Sequence, residues 1–177
     1  PERVRRLLIQ SAVWLPMALP LYLIRFRIGP VPTTLLEVLL LIFFGAFTVI
    51  GKGEGWKRGW ARVAGWRVLL VGWTAVTLFA VCMAPHLLAG LGLWRAYVLE
   101  PVLLFVCLGA LLTDEGQRRQ LERSFFLVVF PLVAWALIQF VTGKGIPHPW
   151  DVSIAAGRRA TGPYPYPNAL ALFITPI

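Results

Sequence analysis

The feature that most constrains this chain is a recurring run of apolar residues of nearly constant length. Residues 7–24, 33–50, 66–84, 96–112 and 124–141 are five such runs of 17 to 19 residues, each bounded by charged or turn-forming residues. A sixth opens at residue 168 and reaches residue 177. A helix of about 20 apolar residues crosses the ~30 Å hydrocarbon core of a bilayer, so each complete run just reaches spanning length. In lipid every backbone polar group must find its partner within the protein, which leaves helices or a closed barrel. The alternating segments of ~10 residues that build a barrel are absent. The expected fold is therefore all-α: a polytopic transmembrane helix bundle with five complete spans and the start of a sixth, forming one membrane domain over 1–177. The chain opens on Pro1 and stops at Ile177 inside an apolar run, so we expect the N-terminal fragment of a larger bundle.

The connections carry the remaining information. Pro16 and Pro20 predict kinks in the first run, and residues 25–32 form a short connection rich in turn residues. Thr33 or Thr34 can cap the second run, with Glu37 in its first turn, where a carboxylate suits the helix dipole. Residues 51–65 are basic and rich in Gly, and Trp56, Trp60 and Trp66 read as interfacial anchors. Residues 86–95 predict a short interfacial helix or a re-entrant turn. The fourth run holds Glu100 followed by Pro101, and residues 113–123 form a compact charged loop. The fifth run contains Pro131 and Gln139, and the longest connection, 142–167, follows it. Cys82 and Cys107 lie inside apolar runs and read as free, buried thiols. His86 and His148 are isolated, and no metal-ligand spacing, nucleophile constellation or phosphate-cradling glycine loop is present.

Lys and Arg number 17 against 8 Asp and Glu. In a soluble domain that excess would suggest nucleic acid. Between apolar runs it reads instead as loop charge that sets orientation and meets anionic lipid, so no nucleic-acid partner is expected. The N-terminus and the second and fourth connections carry 11 of the 17 cations, and the other three connections carry 6. The richer side is normally cytoplasmic. The N-terminus is then inside, and the 142–167 connection is extracytoplasmic.

That orientation gathers Arg25, Arg27, Arg95, Arg158 and Arg159 at the outer level, with Glu37 and Glu100 near the outer ends of their helices. Charged groups inside a bundle are costly and tend to mark sites, and arginine presents a fixed fork of donors suited to phosphate. Glu37 and Glu100 read as supporting carboxylates that hold arginines in position or take part in proton transfer. Arg95 and Glu100 are five residues apart, about 140° around an α-helix. A direct pair needs the kink at Pro101 or a partner on another helix. Plainer readings stand beside these: Arg25, Arg27 and Arg95 as snorkelling side chains, Glu37 as a dipole carboxylate, and Arg158 with Arg159 as a solvated loop pair. In the segment from Arg158 to Ala171, Asn168 stands where a helix would start and reads as its N-cap. That would place a positive helix end beside two guanidinium groups, a sensible place to hold an anion.

The stretch Arg159-Ala-Thr-Gly-Pro-Tyr-Pro-Tyr-Pro-Asn168-Ala-Leu-Ala171 resembles the Arg-x-x-Gly…Pro-Asn-x-Leu-Ala segment of the bacterial O-antigen ligase and polymerase superfamily. The stretches Pro20–Glu37 and Leu93–Pro101 are similar to early spans of its members. The three cover about a quarter of the chain. The resemblance implies an integral membrane glycosyltransferase of the bacterial inner membrane, needing no metal or other cofactor. Such enzymes move a glycan from an undecaprenyl-pyrophosphate carrier to a lipid or glycan acceptor in lipopolysaccharide and other polysaccharide biosynthesis. It implies that Arg159 contacts the pyrophosphate, with Arg158, Arg95 and Arg25 as further binding residues. Gly162 would allow the tight turn, and Asn168 would cap the next helix. The family's catalytic histidine is expected further along the chain, so neither His86 nor His148 inherits its role. The alternative from a different class is a transporter or flippase for an anionic lipid-linked glycan, which would also use outward arginines and broken helices but perform no chemistry.

Overall fold

The computed structural model describes residues 2–29 and 31–175, so Pro1, Pro30 and the last two residues of the sixth run lie outside the described part. The chain divides into two compact units, Pro1–Arg119 and Gln120–Ile177.

The first unit opens with α1 (Glu2–Trp14), which tightens into a 3-10 helix over Leu15–Leu23. Pro16 stands at the start of that segment and Pro20 inside it. Neither can donate to the carbonyl four residues back, and the chain responds by narrowing its turns. The expected connection 25–32 is instead a small antiparallel hairpin, β1 (Arg25–Ile28) and β2 (Val31–Thr34), with Arg25 opposite Thr34 and Arg27 opposite Pro32. The fold is thus mostly helical but not purely so. Helix α2 (Leu35–Gly51) follows, and the chain then bends by 104° into α3 (Glu54–Arg62). Lys52 makes the corner in a left-handed conformation, φ 47° and ψ 36°, unusual for a residue with a Cβ. The basic stretch 51–65 is therefore largely helical. Gly59 lets α3 lie directly on α6 (Glu100–Leu111): a Cβ there would come within 2.4 Å of the Val106 carbonyl oxygen. Leu8, Ala12, Leu40, Phe43, Phe44, Phe47, Cys107 and Leu111 form the core between α1, α2 and α6.

Helix α4 (Arg67–Cys82) is apolar all round and has no buried residue. Val68 is 88% exposed, and Leu69, Val76 and Phe79 are exposed with it. Such an apolar, uncovered helix suits an apolar surrounding. Cys82, expected buried, is exposed, whereas Cys107 is buried. Residues 86–95 are neither a separate interfacial helix nor a re-entrant turn. Helix α5 (Leu87–Trp94) runs through a π turn, Arg95–Leu99, into α6, giving one continuous span from Leu87 to Leu111.

In the second unit α7 (Glu115–Thr142, beginning just before the unit boundary) is 28 residues long. Most of the expected loop 113–123 is its first turns. Asp114 accepts from the Gln117 N–H at 3.3 Å, and Gln117 reaches back to the N–H groups of Thr113 and Asp114. This is the reciprocal capping box that starts helices. Helix α8 (Pro167–Ile174) packs Phe173 and Ile174 against Val128, Val129 and Leu132 of α7.

Against the five complete spans read from the sequence, four helical stretches are individually long and apolar enough to cross a membrane: Arg3–Leu23, Ala64–Cys82, Leu87–Leu111 and Glu115–Thr142. The count reaches five when the bent pair α2 and α3 is taken as one broken span. By itself α2 is 17 residues long, slightly short for an untilted crossing. The helices are compatible with a chain that crosses a membrane.

Candidate functional site

Two polar clusters stand out, one in each unit. In the first, the start of α2 supplies the anchor. Thr34 accepts from the Glu37 N–H at 3.2 Å, and its own N–H donates to Glu37 Oε2 at 2.9 Å. Thr33 Oγ1 adds a bond to the same oxygen at 2.6 Å. The carboxylate is thereby fixed through one oxygen, which leaves the other for a second partner. Arg95 Nη2 meets that oxygen, Glu37 Oε1, at 3.0 Å. The Arg95 Nε lies 3.4 Å from Glu100 Oε1. That second approach is an ion pair without hydrogen-bond alignment, since neither atom finds a hydrogen-bond partner. Both carboxylates are buried, Glu100 at 4% exposure, while the arginine is partly open.

The π turn explains how residues five apart meet. The Glu100 N–H donates to the Arg95 carbonyl, the five-residue step of a π-helix. Residues five apart then stack on one face, whereas an α-helix would separate them by about 140°. Pro101, at the next position, has no N–H and would press its ring on the carbonyl four residues back. The widened turn accommodates it within one helical stretch, Leu87–Leu111.

Arg25 and Arg27 lie on the exposed hairpin. The Arg25 backbone pairs across the hairpin with Thr34, the cap of α2, and its guanidinium lies 6.0 Å from the Tyr22 ring centroid. The two carboxylates engage Arg95, and Arg25 forms no salt bridge among the described residues.

In the second unit a residue without an assigned role is the organiser. Gln139 of α7 is 1% exposed. Its Oε1 accepts from the N–H groups of Thr161 and Gly162 at 3.1 and 2.8 Å. Its Nε2 donates to the carbonyls of Gly145 and Gly162 at 2.8 and 3.0 Å. One side chain thus pins both ends of the long connection to the helix. The signal in the sequence was a lone amide inside an apolar run, which must be satisfied if buried.

The adjacent arginines separate in role. Arg158 Nη1 donates to the carbonyls of Phe140 and Val141 at 3.0 and 3.4 Å, and its Nε to Val152 at 2.9 Å. It caps the negative end of α7. Gly143 leaves room for it, since a Cβ there would come within 2.7 Å of the guanidinium. Arg159 is exposed and stacks over Trp150, 5.7 Å from the ring centroid. It forms no salt bridge among the described residues. Gly162 adopts φ +58°, the left-handed turn that favours glycine, as the tight turn required. Tyr164 is buried. Asn168 is not the N-cap of α8: the cap is Tyr166, followed by Pro167, and Asn168 is an exposed residue of the first turn. The extended conformation of Tyr166 and the preset φ of a proline at the first helical position begin this helix without a side-chain cap. His148 Nδ1 lies 3.3 Å from Asp151 on the exposed part of the connection.

No protein-family model, curated protein or solved structure matches this chain.

Proposed function

We propose that the chain holds the donor of a membrane glycosyltransferase reaction, O-antigen ligase-like, in which a glycan passes from a polyprenyl-pyrophosphate carrier to a lipid or glycan acceptor. The observation that carries the reading is Arg159. Its guanidinium stacks on Trp150 in a loop anchored through Gln139, yet among the described residues no carboxylate pairs with it. A preorganised, unpaired arginine suits an anion whose charge grows as the leaving group departs. Arg158 serves the helix end and Arg95 serves the two glutamates, so both act as positioning residues rather than pyrophosphate ligands.

The test is glycan transfer from a polyprenyl-pyrophosphate donor by the full-length protein in liposomes. Arg159→Ala is expected to reduce kcat/KM by about 100-fold, the order lost with one charge-stabilising donor, whereas Arg119→Ala leaves it within twofold. Equal losses from both would refute the site. A second reading is a transporter for the same lipid-linked anion, favoured by the broken span at α2 and α3. Movement of intact donor across the liposome with no glycan transferred would decide for it.

A further inference from the structure

The first unit holds a cavity of about 430 Å³ at the end of α2 opposite to Glu37. Its walls are apolar, formed by Leu8 of α1, Phe47 and Ile50 of α2, and Leu111 of α6. Its rim carries three cations from three places in the sequence: Arg5 on α1, Lys52 at the corner, and Arg58 on α3. Among the described residues none of the three forms a salt bridge. The left-handed conformation at Lys52 and the 104° bend that follows bring α3 back under α2 and place Arg58 on the same cavity as Arg5. Val49, 76% exposed, continues the apolar wall outward.

We infer that this cavity seats the head and upper acyl segments of one anionic phospholipid. The volume falls within the range of ligand pockets. An apolar interior with a tri-cationic rim matches a molecule with apolar chains and a single phosphate charge, and a zwitterionic lipid would place its own cation among the three. Basic pockets between membrane helices hold anionic head groups in this way. The inference needs the chain to sit in a bilayer but does not depend on glycan transfer, so the two readings can fail separately.

The test uses purified full-length protein in detergent, incubated with dioleoylphosphatidylglycerol or dioleoylphosphatidylcholine, with retained lipid counted by native mass spectrometry. One phosphatidylglycerol is expected to be retained with at least tenfold preference over phosphatidylcholine. The combined variant Arg5→Gln, Lys52→Gln, Arg58→Gln should lose that preference. Arg62→Gln with Arg118→Gln and Arg119→Gln removes as many charges away from the cavity and should keep it. Gly51→Leu narrows the cavity with all charges intact, at a position where an added Cβ meets nothing within 4 Å, and should reduce both retention and preference. Unchanged preference in the first variant, or in Gly51→Leu, would overturn the inference. So would equal loss in the two charge variants, which would mean that net charge alone governs retention.

Discussion

Replacing Gln139 with Leu tests whether one amide holds the long connection in place. The substitution keeps the side chain's approximate size but removes four hydrogen bonds, two accepted by Oε1 and two donated by Nε2. Thr161 is fully buried and Gly162 is also buried, so their N–H groups would have neither the amide nor water. At roughly 1 kcal/mol net per bond the loss is about 4 kcal/mol. That cost need not unfold the molecule, because the connection can open locally while α7 and α8 remain. The suitable assay is therefore amide hydrogen exchange in nanodiscs, read on peptides covering 158–164. A loss of about 4 kcal/mol in opening free energy speeds exchange there by about 1,000-fold, at about 1.4 kcal/mol per factor of ten. Peptides from α2 and α6 should not change. Gln139→Glu separates the two halves of the bracket, since a carboxylate accepts from both N–H groups but repels the two carbonyls, and exchange should again be fast. Protection within threefold of the native value in Gln139→Leu would refute the bracket.

Arg95→Met leaves the buried carboxylates of Glu37 and Glu100 without their shared cation. A stability loss of about 3 kcal/mol is expected, the lower end for a broken buried pair because the arginine is partly open. Detergent unfolding would measure it, and adding Glu37→Gln and Glu100→Gln should recover most of the loss. Gly59→Ala drives a methyl into the Val106 carbonyl and should cost about 1–3 kcal/mol by the same measurement. Gly45→Ala, where nothing lies within 4 Å, should be neutral or slightly stabilising.

The long apolar helices were legible in the sequence because uninterrupted apolar runs of this length leave a coarse, regular mark, although four of them, or five with the bent pair, are long and apolar enough to cross a membrane. Their ends were less so. The third, fourth and fifth helical stretches all begin before the apolar run does: at the fifth, Asp114 and Gln117 cap a helix that starts in polar sequence, and at the fourth the weakly apolar residues Leu87–Trp94 are already helical. The hairpin at 25–34 and the 3-10 segment at 15–23 were missed for a different reason. Both are local responses to proline and glycine whose outcome depends on packing. The division of labour between Arg158 and Arg159 had no sequence signal at all. Two identical neighbours differ only because one reaches the end of a helix 16 residues upstream, and the other reaches an indole ring.

The pairing of Arg95 with Glu100 shows where sequence geometry and structure part most usefully. Ideal helical spacing puts the two on different faces, which argues against a pair. The same sequence holds Pro101, which an ideal helix cannot accept at that place without losing a bond and straining a carbonyl. A π turn relieves that conflict, and its side effect is to rotate Arg95 onto the face of Glu100. The proline therefore acts on chemistry through backbone winding. It sets two buried carboxylates around one guanidinium, so that among the described residues Glu37 and Glu100 are engaged by Arg95 and not by Arg25 on the neighbouring hairpin.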